Sequence, residues 1–144
     1  MFLSLGLLPV AHARGLIPQQ VAPDVYAFIG KREALAQANR GDIINSGFIL
    51  GTTGVIVIDP GPNYAHAELV LDAISKITPK PVQLVIDTHQ HPENVLGNEF
   101  FARRGVTILA HSQTLQAMRN RCEKCYENMQ IGRASCRERV YVLV

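Results

Sequence analysis

Val82-Gln83-Leu84-Val85-Ile86-Asp87-Thr88-His89-Gln90-His91-Pro92-Glu93-Asn94-Val95-Leu96-Gly97-Asn98 is the stretch that decides how this chain is read. Its first five residues form an apolar, β-branched run of the kind a buried strand uses. Two histidines at i, i+2 then sit on the loop that leaves it. Neutral imidazole is the commonest protein ligand for zinc, and the C-terminal edge of a strand is where α/β layers hold their ligands. The i, i+2 spacing lets His89 and His91 turn their rings toward one centre while Gln90 points elsewhere. Glu93 adds a carboxylate within reach of the same place.

Upstream, Val55-Ile56-Val57-Ile58 reads as a strand cut short by Asp59-Pro60-Gly61-Pro62-Asn63. Ala65 to Ile77 has Leu69, Val70, Ala73, Ile74 and Ile77 at helical spacing, and Pro79 and Pro81 stop it. Ile43 to Leu50 pairs with Val55 to Ile58 as a hairpin across Gly51-Thr52-Thr53-Gly54. Val25 to Ile29 is an earlier strand, Gln19 to Asp24 is polar and turn-forming, and Lys31 to Asp42 is a long polar excursion of the kind that borders a site. Downstream, Leu96 to Arg104 reads as a short helix and Val106 to Leu109 as a strand, with Ser112 capping a helix from Gln113. Strands first and then alternating helix and strand describe an α/β chain forming one layer of a larger sandwich.

The chain has 144 residues, of which 47% are hydrophobic, enough for one globular core. Residues 1–130 carry 11 Lys+Arg against 11 Asp+Glu, so the formal +2 comes from Arg133, Arg137 and Arg139 against Glu138. A neutral body with no basic patch of interleaved aromatics excludes a nucleic-acid partner. Met1 to Val10 followed by Ala11-His12-Ala13 has the form of a signal-peptide apolar region and cleavage site, with a buried strand as the alternative. The run is too short to span a bilayer, which takes roughly 20 residues. Residues 1–13 are therefore expected to be a partial secretory signal, placing the protein in the periplasm or outside the cell. Gly132 to Val140 can be spelled by GGA-AGA-GCG-TCG-TGT-AGG-GAA-AGA-GTG, the string of a common short-read sequencing adapter. Residues 131–144 are expected to be an adapter-derived tail, with a natural basic tail as the alternative.

Strand, Asp59, helix, strand and then Thr88-His89-Gln90-His91, with Glu93 two residues on, resembles the metallo-β-lactamase-fold superfamily. Its loop reads Thr-His-x-His-x-Asp-His, and its strand–Asp–Gly element matches Val57-Ile58-Asp59-Pro60-Gly61. Asn39-Arg40-Gly41-Asp42-Ile43, Asn45-Ser46-Gly47-Phe48-Ile49, His91-Pro92-Glu93, Val95-Leu96-Gly97-Asn98 and Ala110-His111 are similar to exported zinc metallohydrolases of quinoprotein relay systems, relatives of the sulfur-oxidation hydrolases. The resemblance covers about Val21 to Gln130.

That resemblance implies the N-terminal half of a metallo-β-lactamase-like αββα sandwich over residues 21–130, truncated before its later strands. It implies zinc held by His89 and His91 together with a third histidine from much later in the chain. It also implies a small-molecule ester, thioester or amide as substrate, and water made acidic enough to attack it, with a pKa lowered toward ~7. Where the family has Asp and His for a second zinc, this chain has Glu93 and Asn94. Glu93 keeps the charge on a longer arm and could ligate or act as a base. Asn94 offers a neutral amide, so one zinc is expected and a second is left open. Asp59 is expected to accept a hydrogen bond from a ligand imidazole, with a turn cap as the alternative, and Asp87 to do similar work.

His111 is expected to be structural and His66 a solvated helix residue. Cys122-Glu123-Lys124-Cys125 sits on a helix with no strand before it, which suits a local disulfide or two thiols better than a redox pair. The expected function is a zinc-dependent hydrolase. A non-catalytic relative that serves as a binding or maturation partner of a quinoprotein system is the alternative. A thiol oxidoreductase and a β-lactamase proper are weaker readings, the latter resting on fold alone. The chain as it stands, lacking the third ligand and the facing layer, is expected to be inactive and poorly stable.

Overall fold

The computed structural model of the chain describes residues 15–34, 36–39, 41–128 and 140–143, and of residues 37, 121–128 and 140–143 it describes the backbone. The described strands form one seven-stranded sheet in chain order. β1 (Gln19–Ala22), β2 (Val25–Phe28), β3 (Ser46–Leu50) and β4 (Val55–Ile58) make an antiparallel meander. β5 (Val82–Asp87), β6 (Thr107–His111) and β7 (Val140–Leu143) continue it in parallel. The switch at β4 follows from its connection. α1 (Tyr64–Ser75) carries the chain back across the sheet, and a parallel neighbour needs such a crossover. After β5 come α2 (Pro92–Val95) and α3 (Asn98–Ala102), and after β6 comes α4 (Ser112–Asn128).

Alternation along the strands gives the sheet two different faces. Phe28, Phe48, Val55, Val57, Val85 and Ile108 point to one side and are closed over by Ala67, Val70, Ala73 and Ile74 of α1 and by Phe100 and Phe101 of α3. Tyr26 stacks on Phe48 at a centroid distance of 4.8 Å, and Phe100 and Phe101 meet edge to face at 5.1 Å. On the other side Ile49 pairs with Ile56, Ile56 with Leu84, Ile58 with Ile86, and Ile86 with Leu109. These residues stay half-buried and form a continuous apolar surface. One face covered by helices and one left apolar is the arrangement of a single layer of a sandwich.

Three expectations are corrected. Gln19–Ala22 is a strand: its exposed residues pair with β2 at the sheet edge, where backbone hydrogen bonds and not burial make the strand. Pro92–Val95 is a separate single helical turn, started by Pro92 at the position where a missing N–H costs nothing. His66 is not solvated but 2% exposed. Its place one turn before Val70 puts it on the apolar face of α1, and the spacing outweighs the residue type.

The expected signal segment 1–13, residues 131–139 and 144, and the side chains of Cys122 and Cys125 lie outside the described residues. Val140–Leu143 alternates apolar and β-branched residues that suit a sheet edge whatever their origin. No helix among the described residues is long and apolar enough to cross a membrane.

Candidate metal centre

Two short loops meet at the C-terminal edge of β4 and β5. The first leaves β4 at Asp59, whose φ of 54° lies in the left-handed region that Asp tolerates better than most residues. The turn drives its carboxylate back under the second loop, Thr88 to His91. Gly61 N–H donates to Asn94 O at 3.0 Å, and Gly97 N–H donates to Gly61 O at 2.7 Å, so the Asp59–Asn63 loop and the turn of α2 are fixed to each other in both directions. Gly97 is required there, because a Cβ would lie 2.5 Å from Pro60 O. Gly41, at φ +80°, brings the long Lys31–Asp42 excursion against Pro62 at the same end of the sheet.

The side chains form two hydrogen-bonded groups. In the first, Asp59, only 4% exposed, accepts Thr88 N–H on Oδ1 at 2.8 Å and the Thr88 hydroxyl on Oδ2 at 2.7 Å. Asn94 Nδ2 donates to the same Oδ2 at 3.2 Å. Thr88 Oγ1 lies 2.7 Å from His89 Nδ1. Asp59 thus reaches the His89 imidazole through Thr88 and not directly, and the expected contact is relayed by one hydroxyl. In the second group, Asp87, 3% exposed, accepts Asn98 Nδ2 at 2.7 Å.

Burial pushes the Asp87 carboxyl up to about 7; the Asn98 hydrogen bond pulls against that, and the charge of Asp59 adds to it. Asp87 Oδ1 and Asn98 Oδ1 have no partner. Both are acceptors when Asp87 is ionised, so burial leaves that form short of donors.

Above these groups, the rings of His89 and His91 stand edge to face with centroids 4.8 Å apart. His91 is exposed, and its Nδ1 lies 3.7 Å from Glu93 Oε1, close but beyond a hydrogen bond. His89 and His91 are therefore together and Glu93 beside them, whereas Asn94 is turned inward to Asp59. His111 is apart: its Nδ1 accepts Gln113 N–H at 3.2 Å, at the start of α4. His66 is also apart, with both ring nitrogens unpartnered under Gly61; burial lowers its pKa against the opposing charge of Asp42. In the sequence Thr88 and Asn98 stood within motifs, but neither was given a role. Thr88 stands beside the first histidine, and Asn98 lies one turn after Asn94, so their polar character was visible but not their partners.

Two imidazoles and a carboxylate are the donor types that zinc takes. The arrangement fits zinc as one side of a centre. Among the described residues no group of three or more His, Cys, Asp or Glu closes around a metal.

The family model of the metallo-beta-lactamase superfamily matches residues 39–143. Two solved structures are among those that share the fold. One is a metallo-β-lactamase from Hirschia baltica, with 17% identity and a TM-score of 0.63 over 76% of this chain and 49% of that one. The other is TMB-1, described for its substrate and inhibitor binding, with 16% identity and a TM-score of 0.60 over 85% of this chain and 52% of that one. The chain spans about half the length of each. No protein of curated function matches.

Proposed function

The chain belongs to the metallo-β-lactamase superfamily, with a mixed α/β fold matching the N-terminal part of that fold, and on that premise we propose that its parent protein is a zinc-dependent hydrolase. The observation that carries this reading is the convergence of His89 and His91, 4.8 Å apart at the end of β5, with His89 Nδ1 already engaged and Nε2 left over for a metal. These two rings would hold the ion, with Glu93 beside them as a further ligand or base. Zinc held there would supply a Lewis acid that makes water nucleophilic at neutral pH. Asp59 and Thr88 orient His89, and the paired backbone bonds between Gly61, Asn94 and Gly97 keep the two loops in register. The substrate class is a small acyl ester, thioester or amide.

A second reading is favoured by one observation. Asn94 gives its amide to Asp59 and not to the space above the histidines. That suits a relative that keeps the fold and one metal at most, and serves as a binding or maturation partner of a quinoprotein dehydrogenase system. The exported location and the quinoprotein partner rest on the Ala11-His12-Ala13 pattern and on the motifs around Asn45 and Ala110-His111. Turnover of a panel of acyl esters and thioesters by the parent protein separates the two readings. Zinc-dependent hydrolysis supports the first. Zinc binding without turnover, gained only after Glu93→Asp with Asn94→His, supports the second.

A further inference from the structure

Which nitrogen of a metal-binding histidine carries the proton is set by the hydrogen bond the other nitrogen makes. At His89 that bond is made to Thr88. Thr88 Oγ1 lies 2.7 Å from His89 Nδ1 and 2.7 Å from Asp59 Oδ2. A hydroxyl has one proton to give. A carboxylate oxygen can only accept, so the contact with Asp59 Oδ2 takes the hydroxyl proton. The remaining lone pair of Oγ1 faces His89, and the bond forms only if Nδ1 carries the hydrogen. A neutral histidine side chain in water prefers the other form, protonated on Nε2.

We propose that Thr88 is the positioning residue of His89: anchored on Asp59, which Asn94 steadies from the other side, its hydroxyl holds the ring in the Nδ1–H form and aims Nε2 as the metal-binding atom. The metal half of this statement rests on the zinc reading above. The tautomer half stands on the hydrogen bonds alone. The device works against the intrinsic preference of the ring, so its removal leaves a signature that loss of packing does not. Threonine also contributes here through both main chain and side chain, since its N–H and its hydroxyl grip the two oxygens of one carboxylate. Asn94 acts at the same point, and its amide is spent on the anchor.

The test is nitrogen NMR of the imidazoles in the metal-free parent protein at mildly alkaline pH, beside its zinc affinity measured by chelator competition. His89 is expected as Nδ1–H in the wild type and in Thr88→Ser, which keeps the hydroxyl. It is expected to revert to Nε2–H in Thr88→Val, which keeps the shape, with zinc bound about 10–100-fold more weakly. An Nε2–H ring in the wild type or in Thr88→Ser overturns the proposal, as does a Thr88→Val chain with unchanged tautomer or unchanged zinc affinity. Should Thr88→Val fail to fold, the wild type and Thr88→Ser still decide. An Nδ1–H ring in a parent protein that binds no zinc overturns the zinc reading, and with it the metal half, while Nε2–H with zinc bound overturns the relay alone.

Discussion

Asn94 Nδ2 donates to Asp59 Oδ2 across 3.2 Å, and both side chains are buried, Asn94 at 7% exposure. A position that follows the His-x-His pair and would be expected to face a metal instead braces the acid beneath it. Removing that donor leaves a buried carboxylate oxygen with one partner fewer. A hydrogen bond to a charged group contributes about 1.5–3 kcal/mol. Asn94→Ala is expected to lose about that much stability in urea denaturation of the metal-free chain, and a loss below about 0.5 kcal/mol would show that the bond carries nothing.

The meeting of the Asp59–Asn63 loop with the α2 turn depends on two glycines. A Cβ on Gly61, whose φ is +103°, would lie 2.2 Å from His66 Cδ2, and one on Gly97 would lie 2.5 Å from Pro60 O. The neighbour at Gly61 is a ring buried under the loop, and at Gly97 it is backbone, so neither can yield cheaply. Gly97→Ala and Gly61→Ala are each expected to lower stability by more than about 2 kcal/mol, read from the shift of the denaturation midpoint. Gly105→Ala is the control, because nothing lies within 4 Å of a Cβ there, although its φ of +77° still costs some strain. A smaller loss at Gly97 than at Gly105 would contradict the packing described.

The layers of the fold were legible in the sequence because burial and period agree in them. Val55 to Ile58 is apolar on both faces, Val82 to Ile86 is apolar but for Gln83, and Leu69, Val70, Ala73 and Ile74 keep a helical stripe. Where one signal stood alone, the reading failed. Gln19 and Gln20 pair as an edge strand through their backbone, which side chains do not announce. His66 lay on the stripe, and its polarity hid that. At the site, His89 and His91 were picked out by residue type and spacing and Asp59 by the family resemblance, and the three lie at one end of the sheet. The Thr88 relay did not, because it depends on where β4 ends beside β5, a contact between residues 29 positions apart.

Asp87 makes the stability of the metal-free chain pH-dependent. Its folded pKa of about 7 lies above the ordinary 3.8, so the folded state holds a proton that the unfolded chain has lost between those values. The contribution is complete below the unfolded value and is lost as pH rises through the folded one. Asp87→Asn removes the ionisable group and keeps the shape. The variant is expected to gain on the wild type between about pH 4 and pH 7, by on the order of a few kcal/mol at the upper end. Parallel stability curves for the two proteins across that window would contradict the burial of an unpaired Asp87 oxygen.

The central claim is that His89 and His91 hold a metal, and metal content tests it most directly. The parent protein is loaded with zinc, dialysed, and analysed beside the His89→Ala/His91→Ala double variant. His91 is exposed and His89 half-buried, so the variant should keep its fold. About one zinc per chain is expected in the wild type, closed by a further ligand, and none retained by the variant. Equal zinc in the two proteins would contradict the claim.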